Sequence, residues 1–140
     1  MAVFKGISLS GNISSAVAVP LATYTGTITG TEVDARKAGI MVSFWFLTGT
    51  LTHNTANNTM TFTVTQCATS GGSFTAAADA QYITIDSWDR IIDDSSLSDT
   101  LYRFDFLLAP GYPYLKLAGA EAGSFDDPLA AWCIFIPEKK

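Results

Sequence analysis

The chain has 140 residues, a formal net charge of -5, and 48% apolar against only 15% charged residues, with a sequence pI near 4.5. That length suits one domain, able to hide about two thirds of the surface an extended chain exposes. The acidic balance and the scatter of Lys5, Arg36, Lys37, Arg90, Arg103, Lys116, Lys139 and Lys140 argue against nucleic acid and anionic membrane as partners, because neutralising phosphate needs clustered cations.

Residues Met1 to Leu21 contain one lysine and polar interruptions at Ser8, Ser10, Asn12 and Ser14. They read as neither a signal peptide nor a membrane span, which points to synthesis in a cytoplasm. Phe4 to Leu9 and Ile13 to Val19 are candidate strands of an N-terminal arm, 1–21, that packs on the domain or on a neighbour. The remainder, 22–140, reads as a β-sandwich domain that starts with a strand at Thr23 to Thr29.

Gly39 to Thr48 encloses Ile40-Met41-Val42-Ser43-Phe44-Trp45-Phe46-Leu47, apolar at both parities. Its β-branched and aromatic content and bounding glycines predict a central strand, covered on both sides either by a second sheet and a neighbour's surface or by the chain's own loops. Thr59 to Gln66 alternates strictly, with Met60, Phe62 and Val64 set against threonines. One face is core and the other a threonine ladder.

After the turn Ser70-Gly71-Gly72-Ser73, a strand is predicted at Gln81 to Ile85. Asp86 to Asp99 breaks the pattern and reads as an acidic loop or one short helical turn. Tyr102, Phe104, Phe106 and Leu108 alternate with Arg103 and Asp105; Ala109-Pro110-Gly111-Tyr112-Pro113 turns the chain, and 101–117 reads as a β-hairpin. Ala118 to Ala130 reads as a long surface loop before a last strand at Ala131 to Ile136. Eight or nine short antiparallel strands at this spacing predict an all-β sandwich or jelly-roll-like barrel.

No catalytic, cofactor-binding or metal-ligating residue is assigned. The single histidine, His53, lies in the polar loop Thr52-His53-Asn54-Thr55, where a surface role outweighs a catalytic base. Cys67 and Cys133 are too few and too far apart for a zinc site and read as separate buried thiols. The aspartates of 86–99 lack the spacing of a calcium loop and its turn glycine. Trp45 and Trp132 are expected in the core, whereas Trp88, among aspartates, is the more open tryptophan.

The stretch Ala22-Thr23-Tyr24-Thr25-Gly26-Thr27-Ile28-Thr29-Gly30-Thr31-Glu32-Val33-Asp34, followed by the apolar run from Gly39 to Leu47, resembles small accessory virion proteins of tailed bacteriophages. The likeness continues in Met60 to Gln66, in Ser70-Gly71-Gly72-Ser73-Phe74-Thr75, and in Tyr102 to Leu117. Pro113 stands where that family has a basic residue. The resemblance implies a β-sandwich without enzymatic activity that sits on a capsid or another virion surface, commonly as a homo-oligomer bound to the major capsid protein or other virion proteins. Phe4, Ile7, Leu9, Trp88, Ile91 and Ile92 are the candidate interface residues. A tail or head-fibre connector, or a carbohydrate-binding module using Trp88, Tyr112 or Tyr114, are the alternatives.

Overall fold

In the computed structural model, which describes residues 13–51, 58–83, 90–92 and 99–137, the threonine-rich alternation is a strand whose Met60, Phe62 and Val64 are fully buried. The strands in chain order are β1 (Ser14–Thr25), β2 (Ile28–Thr29), β3 (Val33–Asp34), β4 (Met41–Thr48), β5 (Thr59–Cys67), β6 (Thr75–Ala76), β7 (Tyr82–Ile83), β8 (Ile91–Ile92), β9 (Leu101–Leu107), β10 (Tyr114–Ala122) and β11 (Asp126–Phe135). The described residues include one 3-10 turn, Asp79–Gln81, and no helix long and apolar enough to cross a membrane.

These strands form two antiparallel sheets. One has the order β1-β11-β4-β9-β7; the other runs β2-β10-β5-β6, with β3 also on β10 and β8 also on β5. The pairing is nested: β1 with β11, β2 and β3 with β10, β4 with β9, and β5 with β6 and β8. A long hairpin rolled up in this way is a jelly roll, so the expected all-β sandwich is the fold. Its core is aromatic and ties the two layers together. Phe46 of β4 meets Phe62 of β5 with ring centroids 4.8 Å apart, and Phe104 lies 5.3 Å from Phe44 and 5.8 Å from Tyr82.

Hydrogen bonds tie the layers together at both sides, through the backbone at Gly30 and Thr31 on one and through the Tyr82 hydroxyl on the other. The Gly30 N–H donates to Leu117 O at 2.7 Å, while the next N–H, of Thr31, donates to Ala18 O at 2.8 Å. A Cβ at position 30 would stand 2.6 Å from Ala18 O and 2.7 Å from Leu117 O, so only glycine lets β1 and β10 approach this segment. On the opposite side the Val64 N–H of β5 donates to the Tyr82 hydroxyl of β7 at 2.8 Å.

Several sequence expectations are corrected. Ile13–Val19 and Thr23–Thr29 are not separate strands: β1 runs through Pro20 to Thr25, with register shifts between Val17, Val19 and Ala22. Proline is tolerated there because β1 is the sheet edge and its irregularities absorb the missing N–H. The boundary at 21/22 therefore falls inside β1, whose Ala18 and Val19 are fully buried.

Residues 101–117 are not a hairpin either, since β9 pairs with β4 and β7 while β10 pairs with β5, β2 and β3. The Pro-Gly turn carries the chain from one sheet to the other. The long loop expected at 118–130 is mostly strand, with β10 reaching Ala122 and β11 starting at Asp126. Within 86–99, Ile91 and Ile92 form a short strand on β5.

Candidate interface on the five-stranded sheet

The register places four residues of β1, β11, β4 and β9 in one row: Val17 opposite Trp132, Trp132 opposite Trp45, and Trp45 opposite Arg103. Val42, Phe44 and Phe46 of β4 are buried, and strand alternation turns Met41, Ser43, Trp45 and Leu47 to the outer face. The tryptophans, expected in the core, are therefore half-buried on the outside. They are covered by each other's neighbourhood and by the Arg103 guanidinium, 5.2 Å from the Trp45 ring centroid.

Apolar side chains continue along the face on either side of that row. Leu101, opposite Leu47, is 52% exposed, Val17 46%, Met41 43% and Leu47 39%. The adjacent row reads Ser15, Ile134, Ser43, Asp105 and Ile83. Asp105 is almost fully buried, and its carboxylate accepts a short hydrogen bond from the Ser43 hydroxyl. In these central rows the only charged residues are Arg103 and Asp105, and each already has a partner within the sheet. A face this poor in charge loses less hydration free energy than a charged one when another surface covers it.

The opposite broad face has a different chemistry. Thr61, Thr63 and Thr65 of β5 stand beside Ala120, Ala118 and Lys116 of β10, with Thr29 of β2 beyond Ala118. The Lys116 ammonium lies 4.3 Å from the Phe74 ring centroid. This is the threonine ladder expected from the alternation, and it too is nearly free of charge.

A salt bridge marks one end of the barrel. Arg36 Nη2 and Asp34 Oδ2 are 2.6 Å apart, with the guanidinium 5.6 Å from the Tyr114 ring centroid. The Arg36 side chain holds the Asp34 carboxyl below its ordinary range, and Asp34 in turn raises Arg36. The pair borders a cavity of about 870 Å³ lined also by Ser14, Ser15, Lys37 and Phe135. A shallower hollow of about 390 Å³ adjoins it between Ile40, Pro110, Tyr112 and Pro113.

Among the sequence-predicted interface residues, Ile91 is half-buried opposite Thr61, while Ile92 is fully buried opposite Met60. Ile92 is thus corrected from interface to core: in a two-residue strand on a sandwich one side chain must point inward. Phe4, Ile7, Leu9 and Trp88 lie outside the described residues, as does His53. Cys67 and Cys133 are free and buried, as expected, and burial pushes the Cys133 thiol up to about 12. Among the described residues no three His, Cys, Asp or Glu side chains lie close enough to share a metal ion.

The face of Val17, Trp132, Trp45, Leu47 and Leu101 was not anticipated from sequence. The available signal was Arg103 and Asp105: they mark the outward parity of β9, and a pairing of β9 with β4 carries that parity to Trp45. Comparison with protein-family models, with curated proteins and with solved structures found no match.

Proposed function

We propose that the chain is a non-enzymatic structural protein of a tailed-phage particle, a capsid decoration protein that stabilises the head through contacts between subunits. The observation that carries this reading is the largely apolar outer face of the five-stranded sheet, centred on Trp45 and Trp132. Exposed apolar surface arranged contiguously marks a contact surface more often than a solvated one. A decoration protein works by adding buried area between neighbours, and many copies contributing a few kcal/mol each raise the resistance of a shell to heat and internal pressure. A jelly roll hosts many functions, so the fold alone assigns none.

A second reading has its own observation. Two tryptophans side by side on a sheet face form a stacking platform of the kind that holds sugar rings, with Tyr112 exposed at the barrel end. Against it stands Arg103, which already occupies the neighbourhood of the Trp45 ring. A tail or head-fibre connector would use the same surfaces as a decoration protein.

Mixing the purified protein with empty phage shells and imaging them separates these readings. Density at icosahedrally repeated positions supports decoration, and a protein that leaves the shells bare contradicts it. Quenching of tryptophan fluorescence by oligosaccharides supports the sugar-binding alternative.

A further inference from the structure

We infer that the cavity at the Arg36 end of the barrel binds a peptide carboxylate, with an apolar side chain of the same peptide seated in the hollow beside it. This goes beyond the particle reading and does not depend on it.

The cavity of about 870 Å³ opens between the first residues of β1, the last of β11 and the chain that follows β3. Ser14 pairs with Phe135 across the β1-β11 ladder and Asp34 with Tyr114 across β3-β10, so each sheet supplies one wall. The mouth of a barrel is a usual place for a ligand, and this volume falls within the common range of about 300–1,000 Å³.

The charges at this mouth favour an anion. Arg36 and Lys37 stand against Asp34 in the lining, which leaves one net positive charge on a chain whose total is -5. Asp34 is already satisfied. Its two carboxylate oxygens each accept from Arg36 Nε at 3.0 Å, one accepts from Nη2 at 2.6 Å, and the other from the Arg36 backbone N–H at 3.0 Å. These bonds, with the Tyr114 ring 5.6 Å away, hold the guanidinium in place and leave its Nη1 for a ligand.

Lys37 supplies the second donor. Among the described residues no carboxylate is ion-paired with it, and its ammonium is close enough to Asp34 to help hold that carboxyl down. Glu32, the nearest acid along the chain, is engaged by Ser70 and Gly71 instead. A guanidinium edge with one spare cation suits a singly charged carboxylate, whereas a nucleic-acid backbone needs a row of cations.

The neighbouring hollow sets what carries that carboxylate. Arg36 lines it too, and its walls include Ile40, 77% exposed, and Tyr112, 42% exposed. A ligand whose carboxylate meets Arg36 therefore finds an apolar seat next to it, and a short peptide offers both groups on one backbone. A peptide C-terminus and an acidic side chain present the same carboxylate, so the test separates them.

Amide shifts of the isotope-labelled whole chain are followed by NMR with three probes: acetyl-Leu-Phe with a free carboxylate, acetyl-Phe-Glu-Phe-amide, and the neutral acetyl-Leu-Phe-amide. At least one acidic probe is expected to bind with a Kd of about 1 mM, moving Ser14, Arg36 and Lys37 together with Ile40 and Tyr112. Tighter binding of the first probe makes a chain end the source, and tighter binding of the second an acidic side chain. The neutral amide, without a charge-assisted hydrogen bond, binds at least about fivefold more weakly. Lys37→Gln, at an exposed position, weakens the acidic probe about threefold or more, while Arg103→Gln, which removes the same charge from the sheet face, leaves it unchanged.

The inference is overturned if neither acidic probe moves these amides up to about 20 mM, well above a millimolar Kd. Equal binding of the neutral amide overturns it as well, and so does equal weakening by Lys37→Gln and Arg103→Gln, which would make the attraction one of overall charge.

Discussion

Trp45 of β4 and Trp132 of β11 are direct cross-strand partners on the outer face of the five-stranded sheet, and the Arg103 guanidinium lies 5.2 Å from the Trp45 ring centroid. Removing that cover in Arg103→Ala is expected to cost about 0.5–1 kcal/mol of stability, the usual worth of a cation over an exposed ring. Quenching of tryptophan emission by acrylamide should rise. Unchanged quenching would mean that the guanidinium does not shield the ring.

Neighbouring residues of β4 should respond oppositely to truncation. Phe46 is fully buried against Phe62 and Phe104, so Phe46→Ala is expected to lose about 3–5 kcal/mol. Leu47 is 39% exposed, and Leu47→Ala should cost the free protein under about 1 kcal/mol. Urea unfolding at low protein concentration checks both. Equal losses would contradict the assigned parity.

Gly30 is the seam between layers, with backbone oxygens where a Cβ would go, 2.6 and 2.7 Å away. Gly30→Ala forces those strands apart and is expected to destabilise by about 1–3 kcal/mol or more, the usual cost of overpacking. Amide exchange at Thr31, which donates to Ala18 O, should accelerate well above that of residues in β4. A melt indistinguishable from wild type would argue against the closed seam.

Glu32 links the chain between β2 and β3 to the turn at Ser70, accepting hydrogen bonds from the Ser70 hydroxyl at 2.5 Å and the Gly71 N–H at 2.9 Å. The Ser70 bond, followed by that of Gly71, holds its carboxyl below the ordinary 4.5. Because the folded value lies below the unfolded one, this contribution is full above the unfolded pKa and is lost as pH falls through the folded value. The melting temperature should therefore drop below about pH 4.5, and Glu32→Gln should shrink the part of that drop due to this group. The same difference between the two proteins at neutral and acid pH would contradict the linkage.

The sandwich was legible because β5 separates its two faces cleanly, with Met60, Phe62 and Val64 inward and threonines outward. Where residues on both faces were apolar, the reading failed. In β4 only Ser43 within Met41-Val42-Ser43-Phe44-Trp45-Phe46-Leu47 marks the parity left outside, so Trp45 was assigned inward and the neighbour's surface considered for this strand was not tied to a face.

Connections failed for another reason. Turn residues such as Pro110 and Gly111 report that the chain reverses, not whether the next strand joins the same sheet. The small residues of β10, read as loop, reflect close packing. Gly119 faces inward, where a Cβ would stand 2.9 Å from Met60 Sδ and 3.0 Å from Ile28 Cβ.

The most direct test of association through the five-stranded sheet is hydroxyl-radical footprinting of the protein free and bound to empty phage shells. Met41, Trp45 and Trp132 should become protected on the shells, while Tyr112, exposed at the barrel end, keeps its reactivity. If those three residues stay as reactive on the shells as in the free protein, the sheet face is open to water there and is not the contact surface.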